Sequence, residues 1–130
     1  MGLAENRKIK ELKEITLPER EAEIGEICGT PIRYEIDWDS FANDLEGLNF
    51  LDNLSCHRLN MALRVICVDA MGKEAVATTL KVIRLKNVAK EDMRLAFVDD
   101  GALEMHCAYA MRTEGMWSDD DIRSELMAHL

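Results

Sequence analysis

A chain of 130 residues has the usual size of one domain, and its 48% hydrophobic and 32% charged residues exclude both the signature of disorder and the long apolar run of a membrane span. The formal net charge of −9 argues against nucleic acid as a partner, because that affinity rests on neutralising phosphates. One basic stretch, holding Lys73, Lys81, Arg84, Lys86, Lys90 and Arg94, lies between acidic flanks.

The N-terminal residues become charged at once and lack the apolar centre of a secretory signal. Asn6 stands where a myristoylation motif requires Ser or Thr. A cytoplasmic protein is therefore expected. Cys28, Cys56, Cys67 and Cys107 include no Cys-x-x-Cys pair, so buried thiols are expected in place of a disulfide framework or a zinc ribbon.

From residue 5 to 16, Ile9, Leu12 and Ile15 recur at helical spacing among Lys and Glu, which predicts a surface helix with a narrow apolar stripe. Thr16, Pro18 and Glu19 then read as a break and a fresh start, with Thr16 as cap and Glu19 completing a capping box. The second helix carries Leu17, Ile24, Ile27 and Cys28 on one face, and Gly29 with Pro31 closes it. Together they make a helical segment, residues 1–30, packed on or flanking the core.

Ile32, Tyr34, Ile36 and Trp38 alternate with Arg33, Glu35, Asp37 and Asp39, which predicts a half-buried strand. Ser40 is expected to cap a short helix with Phe41, Leu45 and Leu48, and Asn49 with Asp52 to restart the chain into a longer one. At 100° per residue, Phe50, Leu51, Leu54, Leu59, Met61, Ala62, Val65, Ile66 and Val68 share the side expected to form most of the core. Cys56, Leu63 and Cys67 form a smaller strip on the other side; an ordinary wrap by neighbouring elements is its expected use, a homodimer contact the alternative. Gly72 is expected to end the long helix, with a short one over residues 73–80.

Residues 82–88 alternate as a second strand, and a hairpin follows. A two-residue loop would set Phe97 against Glu104. A three-residue loop, Asp99-Asp100-Gly101 with Gly101 left-handed, sets Phe97 against Leu103, Leu95 against Met105, Met93 against Cys107 and Arg94 against His106. Ser118 and Asp121 make a capping box, and Trp117 with Ile122 a hydrophobic staple, for a terminal helix through Leu126. The order implies a two-layer α+β domain over residues 1–130, with about four strands against helices and a long central helix.

Cys56-His57 and His106-Cys107 would suit zinc or an activated thiolate. Adjacent strand residues face opposite ways, however, and adjacent helical ones diverge by 100°, so no metal site and no cofactor is expected. Arg58 falls within the apolar arc of the long helix, where an unpaired guanidinium carries a desolvation cost of several kcal/mol. It is expected either to snorkel towards solvent or to meet a carboxylate such as Asp37, Asp39 or Asp44. Alternatively, Arg58, Asp37 and Asp39 mark a ligand-binding pocket between helix and sheet, with Arg58 receiving an anion. Asp37 and Asp39 share one face of the first strand, but with Arg33 and Glu35 they read as a solvated surface.

No P-loop, Gly-x-Gly-x-x-Gly, Gly-x-Ser-x-Gly or His-Glu-x-x-His occurs, and no resemblance specific enough to name a family emerges. The expected function is a non-enzymatic interaction or regulatory domain that binds a basic protein through acidic surfaces. A small enzyme or small-anion-binding protein built around Arg58 is the alternative.

Overall fold

The computed structural model describes residues 2–98 and 101–130. Its N-terminal helical segment does not break at Thr16: α1 (Leu3–Glu11) passes through a π-helical turn, Leu12–Thr16, directly into α2 (Leu17–Cys28). Thr16 has helical backbone angles and its side chain caps nothing. The cause is Pro18, which lacks an N–H and whose ring crowds the carbonyl of an ordinary preceding turn. In the wider turn the Leu17 N–H reaches the Leu12 carbonyl five residues back, and the helix carries the proline without stopping. It ends at Gly29, whose φ of 71° supplies the left-handed exit.

Strand β1 is Arg33–Ile36, with Tyr34 buried and its neighbours Arg33 and Glu35 exposed. Trp38, expected to extend it, begins a 3-10 turn, Trp38–Phe41, whose cap is Asp37 and not Ser40. The Asp37 carboxylate accepts the Ser40 N–H at 3.2 Å. Asp44 caps α3 (Leu45–Leu51) through the Gly47 N–H at 2.8 Å.

No restart occurs at Asn49. The helix runs on through a second π turn, Asp52–Cys56, into α4 (His57–Ile66). Gly72 is likewise not a terminator. Asp69 caps α5 (Ala70–Thr79), accepting the Gly72 N–H at 2.8 Å, and a Cβ on Gly72 would collide with the Ile66 carbonyl. Glycine is needed there so that α5 can start against the end of α4.

Strands β2 (Val82–Asn87), β3 (Arg94–Val98) and β4 (Ala102–Cys107) join β1 in the order β1-β2-β4-β3, parallel except for β3 against β4. The hairpin register is the one that apolar matching selects: Phe97 opposite Leu103, Leu95 opposite Met105, Arg94 opposite His106. Gly101 is left-handed at φ 84°; Asp99 and Asp100 lie outside the described residues. The final helix, α6 (Asp119–Met127), has the expected Ser118–Asp121 capping box.

This is an α+β domain. Ile83, Leu85, Leu103 and Met105 turn one sheet face into a core shared with Leu51, Leu59, Leu63 and Ile122 from the helices. Among the described residues no helix is long and apolar enough to cross a membrane.

Candidate functional site

Three helices leave a groove that none of the described residues fills. Val65 and Val68 come from the end of α4 and the turn after it, Met71 from the first turn of α5, Met127 from the end of α6 and Leu130 from the residues that follow it. Val65 is 51% exposed, Val68 79%, Met71 81% and Met127 58%. Together they border a cleft of about 540 Å³ in which the polar groups are few, chiefly Asp69 and Arg123. Arg123 is itself held at 2.8 Å by Asp120.

The second π turn explains why Val65 and Val68 are outside. Five residues at Asp52–Cys56 complete a turn that ordinarily takes fewer, so the helix downstream is set back by one residue, about 100° of rotation. The buried face of α4 is therefore Leu59, Ala62, Leu63 and Ile66, joined by Cys56 and Cys67. The strip expected to be secondary is core, and Met61, Val65 and Val68, expected in the core, face solvent. Both faces are apolar enough to be buried, but the fold covers one.

A second, shallower hollow of about 340 Å³ lies on the open face of the sheet, among Glu35, Asp37, Arg84, Lys86, Glu104 and His106. Its charges are largely matched across strands: Arg84 meets Glu35 at 3.1 Å and Arg94 meets Glu104 at 3.3 Å. Partial burial, with Lys86 and Arg94 as neighbours, holds the His106 pKa below the usual imidazole value, although Glu104 pulls the other way.

The residues singled out from the sequence are not gathered into one site. Arg58, half-buried, donates from Nη1 to the Trp117 carbonyl at 3.4 Å and lines neither hollow. Asp37, on the sheet face, and Asp44 serve as helix caps, and Asp39 is exposed beyond the end of β1.

Arg20 of α2, not singled out from the sequence, holds a carboxylate where α2 packs on the central helix. It forks onto Asp52 at 2.6 and 3.1 Å and reaches Glu23 at 3.2 Å. Its spacing of three from Glu23 was the one available signal. Asn60, buried, donates to Glu23 at 2.7 Å and accepts from the Tyr34 hydroxyl at 2.7 Å. Hydrogen bonding from Asn60 and then Arg20 holds the Glu23 carboxyl below the ordinary carboxylate range, against the effect of burial.

Each cysteine–histidine neighbour pair is divided: Cys56 and Cys107 are buried, His57 is exposed and His106 lies on the open sheet face. Among the described residues no three Cys, His, Asp or Glu side chains converge as metal ligands. No protein-family model, no curated protein and no solved structure matches the chain.

Proposed function

We propose that this chain is a non-enzymatic interaction domain, and that its binding surface is the groove between α4, α5 and α6. The observation that carries the reading is the cluster Val65, Val68, Met71 and Met127, each more than half exposed around one cleft. Contiguous apolar surface of this kind is what partner-binding sites present. Methionine suits it because its flexible thioether moulds to a partner's shape.

The occupant we assign is a helix of another protein, with an apolar stripe at i, i+4 and i+7 and basic flanks. The groove is bounded by helices, as a helix-in-groove site requires. The net charge of −9, with Asp119–Asp121 in the first turn of α6 and Asp69 on the rim, complements a basic partner and repels a second copy of the chain. We take the compartment to be the cytoplasm.

The test is capture from lysate at low ionic strength with the intact chain and with its Met71→Asp variant, then titration with the peptide helix mapped from the captured protein. Expected is a basic protein released by salt and lost with Met71→Asp, and a peptide whose Kd rises about 100-fold against the variant, on the order of 2.7 kcal/mol. Capture that Met71→Asp leaves unchanged would overturn the reading. So would a concentration-dependent dimer in sedimentation that the variant abolishes.

A further inference from the structure

Cys28 is the last residue of α2 and Cys67 the first beyond α4, and the packing of these two helices brings their sulfurs to 3.0 Å. That is about 1 Å beyond the length of a disulfide bond. Among the described residues no other two cysteine sulfurs share a hydrogen bond: the Cys107 sulfur has the Ser55 hydroxyl at 4.0 Å, and Cys56 lies in the core beside Tyr34.

From this juxtaposition we infer that Cys28 and Cys67 are an oxidisable dithiol, converted by a peroxide into a reversible disulfide that ties the end of α2 to the end of α4.

Burial sets the choice of oxidant and the order of events. Cys28 is 2% exposed and Cys67 4%, so a bulky disulfide such as glutathione's does not reach either sulfur, whereas hydrogen peroxide is close to water in size. Both thiols lie at helix ends, where local opening costs least. Burial raises both thiol pKa values, and the Lys73 ammonium on α5 opposes the rise. Once Cys67 has lost its proton, the Cys28 thiol 3.0 Å away can donate its hydrogen to the Cys67 sulfur, which favours the Cys67 thiolate and leaves Cys28 the harder of the two to ionise. Cys67 is thus the attacking sulfur and Cys28 the resolving one.

In the first step the Cys67 thiolate attacks one peroxide oxygen. An S–O bond forms, the O–O bond breaks, and the departing hydroxide takes up a proton as water, leaving a sulfenic acid. In the second, the Cys28 sulfur attacks the sulfenic sulfur. The S–S bond forms, the S–O bond breaks, and hydroxide leaves with the Cys28 proton as a second water. The two thiols lose two electrons in total, and one peroxide is reduced to two waters.

The experiment treats the intact chain with hydrogen peroxide, alkylates it in denaturant and maps the peptides without reductant. Expected are a mass lower by two hydrogens, a peptide linking Cys28 to Cys67, alkylated Cys56 and Cys107, and full reversal by dithiothreitol. The oxidised form shifts its Tm upward, because the link closes a loop in the unfolded chain. In Cys28→Ser, Cys67 gains oxygen instead of losing hydrogen. Four alkylatable thiols after treatment, a link involving Cys56 or Cys107, or a link between molecules would overturn the inference; the wild-type map decides this even if Cys28→Ser does not fold.

Discussion

The open face of the sheet and the groove between the helices are both solvent-facing, but they differ in what water does for them. On the sheet, Glu35, Arg84, Arg94 and Glu104 are hydrated and paired across strands, so that surface is complete without a partner. In the groove, Val68 and Met71 expose most of their area and have nothing to pair with. Burial of apolar area is favourable at roughly 25 cal/mol per Å², so covering the groove gains free energy that covering the sheet face does not. The free energy available for the proposed binding therefore lies on the helical side, although the charges that catch the eye are on the other.

The strongest way to break this comparison is to deform the groove. Gly72→Ala drives a methyl group into the Ile66 carbonyl and forces α5 away from α4, and about 3 kcal/mol of stability should be lost in a denaturant titration. Gly25→Ala in α2 is the control. A Cβ there meets nothing within 4 Å, and better helix propensity should gain about 0.5–1 kcal/mol. Equal losses for both would mean that the close approach at Gly72 is not what shapes the groove. Met71→Asp separates binding from folding: with Met71 already 81% exposed, its denaturation midpoint should correspond to a change within about 0.5 kcal/mol, despite the binding loss proposed above.

Where local chemistry decides structure, the residues announced it. The hairpin register followed from asking which loop pairs Phe97 with Leu103, and the last helix from the Ser118–Asp121 capping box with Trp117 and Ile122 beside it. Those signals lie within a few positions of what they control. The π turns at Leu12–Thr16 and Asp52–Cys56 leave no such mark, because each is a one-residue adjustment that brings distant faces into register. Counting at a constant 100° across the second one rotates the expected inner face of α4, so that Leu59, Ala62 and Ile66 stay inside while Met61 and Val65 are misplaced and Leu63 is left out. That one error put Val65 and Val68 in the core, kept the groove out of view and drew attention to Arg58. Arg20 was missed for a related reason: its partner Asp52 is 32 residues away, and only the packing of α2 on the central helix joins them.

Enclosed charge offers an intermediate case. Asn60→Leu removes a donor from Glu23 and an acceptor from the Tyr34 hydroxyl, and should cost about 2 kcal/mol. It should also flatten the acid limb of the stability curve. The folded-state pKa of Glu23 is lowered, so its contribution is complete above the unfolded value near about 4.3 and is lost as pH falls through the lower folded value. An acid limb as steep in Asn60→Leu as in the wild type would assign that limb to other carboxylates.

The smallest effect is expected on the sheet itself. Glu35 accepts from Arg84 at 3.1 Å and Arg33 at 3.3 Å, and the Arg84 hydrogen bond above all holds its carboxyl below the usual range. The sign is the same as for Glu23: protection that is present above the unfolded pKa and lost below it. Its size is not, because water screens an exposed pair and holding two long side chains together costs entropy. Glu35→Gln should therefore lower stability by no more than about 0.5 kcal/mol at neutral pH, an effect that 1 M salt removes, and should leave the affinity of the groove for the proposed helix unchanged. A loss of affinity in Glu35→Gln equal to that in Met71→Asp would move the binding surface from the helices to the sheet, where charge would have to do the work here assigned to apolar contact.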